Sequence, residues 1–350
     1  MFNDDYVSRG TEDAASPAGD VSRGTDQVAG GAVGTWAGVR TAADLADLET
    51  GFDDQTTPLA RATQQSLLAR QDIAARTAAP RPGSTRIFVV ANQKGGVGKT
   101  TSTVNVAAGL AQLGQRVLVI DLDPQGNAST ALNIDHHRGT PSTYDALVDG
   151  TALDQIARAC PEVENLDVVP ATIDLAGAEI ELVSVVAREG RLKRALVAHP
   201  RVGSAAEAGE ERYDYVLIDC PPSLGLLTLN ALVAGEEMMI PIQAEYYALE
   251  GLGQLIETVE MVKAHLNPTL DVSTILLTMY DARTRLAAGV AAEVREHFGA
   301  QVLRTNIPRS VRVSEAPSYA QTVMTYDPGS PGALSYLEAA REITERVARS

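Results

Sequence analysis

The chain is expected to fold as an α/β protein, a mostly parallel, twisted sheet with helices on both faces, preceded by a largely disordered N-terminal extension. Three observations lead there. From Arg86 onward, continuous apolar, β-rich runs alternate with helix-length segments, as in parallel sheets buried on both faces. Each cluster of glycine or acidic residues falls just after one of those runs, at the strand ends where ligands of such sheets bind. Residues 1–84, in contrast, hold few large apolar residues and cannot build a core of their own.

The extension is acidic: residues 1–85 carry twelve acidic and seven basic side chains. Within it, "TPLARATQQSLLARQDIAARTA" supports a helix over 58–78, with Pro58 suited to its first turn and Leu59, Leu67, Leu68 and Ile73 as apolar points. "PRPGS" (80–84) punctuates the boundary, dividing the chain into an extension over 1–84 and a globular domain over 85–350. The pentapeptide "VSRGT" occurs at 7–11 and again at 21–25, a repeat that low-complexity drift is enough to produce.

Bulk composition narrows the function classes. With 350 residues, 45% of them hydrophobic, the chain can bury a sizeable core. No window approaches 18 consecutive apolar residues, so no transmembrane helix is expected. The start "MFNDDYVSRG" has neither the basic nor the apolar region of a signal peptide. Cys160 and Cys220 stand far apart, which suits a reducing cytoplasm and offers no metal-ligand spacing. A net charge of −16 argues against a protein that coats DNA or lipid with its whole surface, while leaving room for a local basic patch.

The elements follow in order. "RIFVVAN" (86–92) reads as the first strand, and "QKGGVGKTT" as a phosphate-binding loop that opens a helix near Lys99. Gly95, Gly96 and Gly98 let the backbone around Val97 turn its N–H groups onto phosphate oxygens, and the helix dipole favours the same anion. Lys99 is expected to bridge the β- and γ-phosphates of ATP, Thr100 to give its hydroxyl to Mg2+, and Thr101 to hold the α-phosphate. Two features are irregular: Gln93 stands where the usual motif has its first glycine, and Lys94 is an additional lysine. "RVLVIDLD" (116–123) is a second strand, ending in Asp121 and Asp123. Asp123 is expected to orient the attacking water, and Asp121 to serve the metal directly or at one remove. "LDVVPA" (166–171) is a third strand. "YDYVLIDC" (213–220) is a fourth, whose Asp219 is expected to hold Mg2+, usually through water, with Pro221, Pro222 and Ser223 as a loop that senses the γ-phosphate. "EMMIPIQ" (237–243), "VSTILLTMY" (272–280) and "QVLRTNIP" (301–308) complete the strands.

These pieces together resemble the ParA/MinD group of deviant phosphate-loop ATPases. Within it the likeness is greatest to the ParA (Soj-like) chromosome-partitioning ATPases. It rests on "KGGVGKTTSTVN", "DLDPQGNAST", "ATIDLAGAEIELV", "YDYVLIDCPPSLGLLTLNAL", "PIQAEYYALEGLGQL", "LLTMYDART" and "TNIPRSVRVSEAPSYAQTVMTYDPGSPGA". It covers about 86–350 and does not reach the extension. The resemblance implies a role for Lys94: in an ATP-sandwich homodimer, it would reach the phosphates bound to the other subunit. A cation there neutralises charge that grows in the transition state, and a trans arginine in GTPases contributes about 10³–10⁵ in rate. It further implies slow, partner-stimulated ATP hydrolysis, a ParB-type centromere-binding partner, non-specific DNA binding, a cytoplasmic, nucleoid-associated location, and adenine contacts near Met279 and Pro308. Over 270–325, six arginines face five acids, so this segment is net positive while the rest is strongly acidic. Arg283, Arg285, Arg309 and Arg312 are the expected phosphate contacts, with pairing to local carboxylates as the competing use. No interleaved aromatics indicate base stacking.

The resemblance also offers a second reading of the repeat. The centromere-like site of such systems, GTTTCACGTGAAAC, reads in frame as Val-Ser-Arg-Glu-Thr, one base from "VSRGT", so the copies would be relics of such sites within the gene. The extension itself leaves room for a tether or for an arm that binds a polar scaffold. Two other behaviours are carried alongside partitioning. MinD-like membrane cycling would need a basic amphipathic C-terminus, whereas "GALSYLEAAREITERVARS" balances its charges and presents Leu334, Leu337, Ile343 and Val347 as a face for docking on the core, so no membrane insertion is expected. A nucleotide-gated, DNA-bound regulator with negligible turnover is the other.

Overall fold

The computed structural model describes residues 79–204, 208–245 and 248–347; the expected 58–78 helix and both "VSRGT" copies lie outside them. Seven strands form one sheet: β1 (Arg86–Val90), β2 (Val117–Asp121), β3 (Arg158–Ala159), β4 (Leu166–Val169), β5 (Tyr215–Asp219), β6 (Glu237–Gln243) and β7 (Asp271–Thr278). Their order is β3-β4-β2-β5-β1-β6-β7. Every pairing is parallel except that of the two-residue β3 with β4. β1, β2 and β5 therefore lie side by side at the centre, and the loops after them open on one edge of the sheet.

Alternation along each strand builds two cores. Phe88 and Val90 join one cluster and Ile87 and Val89 the other, because successive side chains point to opposite faces. The first face is covered by α1 (Lys99–Gln112), which brings Val104, Ala108 and Leu110. On the second face lie α2 (Leu226–Ala234), α3 (Ala248–His265) and α4 (Arg285–Phe298), through residues such as Leu232, Leu255 and Val294. The C-terminal α5 (Pro331–Val347) returns to the first face and buries Tyr336, Leu337, Ala340 and Ile343 beside α1. The approach is close: a Cβ on Gly109 would come within 2.9 Å of the Ala340 Cβ. Leu337 and Ile343, fully buried, each contribute about 1.5–3 kcal/mol. Of the apolar points expected to dock, Leu337 and Ile343 are buried in the core and Leu334 is half-buried. Among the described residues, no helix is long and apolar enough to cross a membrane.

Two expectations change. "QVLRTNIP" does not form a strand but runs beside β7 with isolated parallel bridges, Ile275 to Val302 and Tyr280 to Pro308. Leu303 and Ile307 donate to the Ile275 and Leu277 carbonyls at 2.9 and 2.8 Å. Between them, the Arg304 and Thr305 N–H groups turn instead to the buried Glu342 carboxylate at 3.0–3.3 Å. A charge-assisted acceptor outcompetes a ladder carbonyl, and it interrupts the edge. The second change is at the boundary. The segment read as punctuation is strapped to the body: Ala79 donates to the Leu113 carbonyl at 3.0 Å, Arg81 Nε spans both oxygens of buried Asp214, and Arg212 donates to the Pro82 carbonyl.

Candidate nucleotide site

The loop after β1 takes the form the glycines require. Gly96 (φ +74°) and Gly98 (φ +88°) sit in the left-handed region, open to glycine and costly for other residues. The space over Gly95 and Gly96 is open, so a Cβ there would meet nothing, and that is where phosphate oxygens would lie against the backbone. Gly98 caps α1. The loop is braced from two sides. Asn92 accepts the Lys94 N–H at 3.0 Å and donates to the Pro241 carbonyl of β6 at 2.8 Å. The Thr278 hydroxyl, at the end of β7, donates to the carbonyl of buried Val97 at 2.8 Å.

Lys99 is buried, and its Nζ donates to the Lys94 carbonyl at 3.2 Å. Burial pulls its pKa down, and Asp219 and Asp123 partly offset that. Thr100 and Thr101 follow in the first turn of α1. Lys94 is half-exposed, and its Nζ lies 3.0 Å from Glu245 Oε2.

Three carboxylates close the other side. Asp219 ends β5, fully buried; the Thr103 hydroxyl donates to its Oδ1 at 2.9 Å, and its Oδ2 has no partner. Burial first, then the charge of Asp121, hold its carboxyl well above the usual range. A buried carboxyl oxygen left without a partner is costly, and the Thr100 hydroxyl lies beside the same carboxyl group. This donor set fits a hard cation such as Mg2+, which takes oxygen ligands and keeps several waters. Asp121 differs. Its Oδ1 accepts the Asp123 N–H at 3.1 Å, and its Oδ2 accepts the Ser129 N–H and hydroxyl at 2.9 and 2.7 Å. Burial pushes its pKa up to about 6, and these bonds offset only part of that rise. Of the two roles expected for Asp121, direct or at one remove from the metal, this arrangement favours the second, since both oxygens already accept donors from the loop after β2. Asp123, buried, accepts the Gln125 N–H at 3.0 Å and lies within electrostatic reach of Lys99. Pro222 and Ser223 are exposed in the loop beyond Asp219.

Met279 follows β7 with φ +50°. A left-handed methionine costs of order 1–3 kcal/mol. Its neighbour Tyr280 bridges Pro308, so the two expected adenine contacts stand on adjacent segments, tied to the phosphate loop through Thr278.

The four expected DNA-contact arginines are all exposed but are not alike. Arg283 is held by both oxygens of Asp281 at 2.9 Å, and Arg312 pairs with Glu315 and Asp327 at 3.2 and 3.6 Å. Arg285 opens α4. Among the described residues, neither Arg285 nor Arg309 forms an ion pair. Sequence reasoning missed Glu245, Ser129, Thr103 and Thr278. Glu245 stands two residues past an apolar strand, where the same strand-end rule would have found it; nothing local marks the other three.

The comparisons agree with this geometry. An AAA domain family model matches residues 85–272. The sporulation initiation inhibitor protein Soj of Bacillus subtilis is 54% identical over 258 residues, covering 74% of this chain and 98% of that protein. The chromosome partitioning protein ParA of Myxococcus xanthus is 49% identical over 261 residues, 75% of this chain and 88% of its own. A solved structure titled cobyrinic acid a,c-diamide synthase, from Mycobacterium smegmatis with bound ADP and magnesium, is 37% identical with a TM-score of 0.60, covering 73% of this chain and 93% of that one. With a deviant phosphate loop on a parallel sheet, and about half of the aligned residues shared with Soj and ParA over most of their lengths, the chain belongs to the ParA (Soj-like) family of ParA/MinD-type phosphate-loop ATPases.

Proposed function

We propose that this protein is an ATPase of chromosome or plasmid partitioning. It dimerises on ATP, binds DNA without sequence preference as a dimer, and hydrolyses ATP slowly until a ParB-type partner stimulates it. The observation that carries the reading is the pair of lysines on one loop: Lys99 is buried, and Lys94 is half-exposed with its ammonium on Glu245 at the end of the neighbouring strand. One lysine serves the subunit's own phosphates; the other, at the surface, reaches a neighbour's once it leaves Glu245. Support for partitioning comes from relatives named Soj and ParA at about half identity.

The residues divide the work. Backbone N–H groups of Gly95 to Lys99 hold the phosphates, and Lys99 neutralises the bridging and γ-oxygens. Thr100 and Asp219 would hold Mg2+, which would supply neutralisation of the phosphate charge during transfer. Asp123 orients water toward the γ-phosphorus, and Asp121 fixes the loop that carries Asp123. Met279 and Pro308 flank the base. On the outer surface Arg285 and Arg309 are available to DNA phosphates at once, while Arg283 and Arg312 exchange a carboxylate for a phosphate. Each phosphate neutralised adds about 0.9 to the salt slope of binding.

The test is DNA binding with no nucleotide, ADP or ATP, in the wild type, Lys94→Ala and Asp123→Ala. Binding should require ATP, vanish in Lys94→Ala and persist longer in Asp123→Ala. ATP-independent binding of equal strength in all three would remove the proposal.

A further inference from the structure

We infer that Glu245 is a positioning residue for Lys94: it keeps the lysine within its own subunit and thereby sets how readily two subunits close. This rests on the two-subunit reading above. Lys94 Nζ is 3.0 Å from Glu245 Oε2, and among the described residues no other acid pairs with it. Both ends of this contact are held. On the acid's side, the other oxygen, Oε1, accepts the Gln243 side-chain amide, and the Glu245 N–H donates to the Gln243 carbonyl at 2.8 Å, a tight turn just past β6. On the lysine's side, Asn92 fixes the Lys94 backbone and reaches across to the Pro241 carbonyl of β6. β1 and β6 are neighbours in the sheet, so the loops after them are tied twice across the same gap, and one of the ties is the ion pair.

A neighbour's phosphates compete with Glu245 for the Lys94 ammonium, so drawing the lysine across the dimer acts against the pair. Both side chains are partly exposed, 38% and 46%. An ion pair at such exposure is weak, worth about two- to fivefold in an equilibrium. A dimer releases two lysines, and the two factors multiply. Removing the acid should therefore tighten the dimer by about four- to twenty-five-fold. A weak hold suits this use: a pair of triphosphates overcomes it, while without them each lysine stays neutralised on its own subunit.

The test uses the full chain in an Asp123→Ala background, which blocks turnover, with ATP and Mg2+. Dimerisation is measured by sedimentation across protein concentration, with Glu245 intact, Glu245→Gln and Glu245→Ala. ADP affinity is measured in parallel. Both substitutions should tighten the dimer by the stated factor, leave ADP affinity unchanged, and lose their advantage as salt rises from about 0.05 to 0.5 M, because exposed pairs are screened. Unchanged or weaker dimerisation in the variants overturns the inference, as does a parallel loss of ADP affinity, which would show that Glu245 shapes the cradle instead. If the parent with Glu245 intact stays monomeric at saturating ATP, the two-subunit reading itself has failed.

Discussion

The ends of β2 and β5 are nearly the same in sequence and opposite in use. "VLVI" leads into Asp121 and "YVLI" into Asp219; the two aspartates stand opposite each other in register, and both are fully buried. Asp121 accepts three protein donors, two of them from Ser129. Asp219 accepts one, from Thr103, and its second oxygen has none. A buried carboxylate must be compensated. Where the protein supplies the donors, the acid becomes a fastening of the fold; where it withholds one, the acid remains available to a cation. The pair teaches that an apolar run ending in aspartate marks a place at the site but not the job done there.

The comparison can be broken in three places. The largest effect is expected for Asp121→Asn, which sets an amide against the Ser129 donors. It should cost about 2–4 kcal/mol of stability by urea denaturation, with little change in the magnesium needed for hydrolysis. A stable variant with a raised magnesium requirement would reverse the assignment. Next, Asp219→Asn should raise the magnesium concentration for half-maximal ATPase by about 10–100-fold. The ligand-free protein should melt no lower than wild type, since burial already disfavours a charge there, Thr103 keeps its acceptor and the other oxygen has no partner to lose; a stability loss like that of Asp121→Asn would erase the distinction. The smallest effect is expected for Ser129→Ala, about 1–2 kcal/mol. Asp121 keeps the Ser129 N–H in that variant, but the Ala171 N–H also loses the serine hydroxyl, its acceptor at 3.1 Å. A loss as large as that of Asp121→Asn would mean that the hydroxyl, not the carboxylate, fastens the loop.

Much of the architecture was legible. Strands buried on both faces leave an apolar run that needs no partner to be recognised, so β1, β2, β4, β5, β6 and β7 stand where the runs do. "QVLRTNIP" misleads because its failure to pair is caused by Glu342, 37 and 38 residues away from Thr305 and Arg304. The two-residue β3 is too short to leave a pattern. In the site, glycines with positive φ and a buried lysine at a helix start announce themselves locally. The arginine surface does not. Arg283 and Arg309 look alike in sequence, and only the placement of Asp281 makes one paired and the other free of any ion pair among the described residues.

By itself, the sequence determines the sheet, the phosphate loop and the family, because each depends on contacts close along the chain: strand periodicity, glycine φ angles, and a lysine and threonines in one helical turn. Tertiary structure decides what each charge faces. It gives Asp121 its donors, leaves Asp219 short of one, sets Lys94 against Glu245 and pairs Arg283 but not Arg309. A charged group takes its role from the donors and charges within a few ångströms, and folding brings those together from distant parts of the chain.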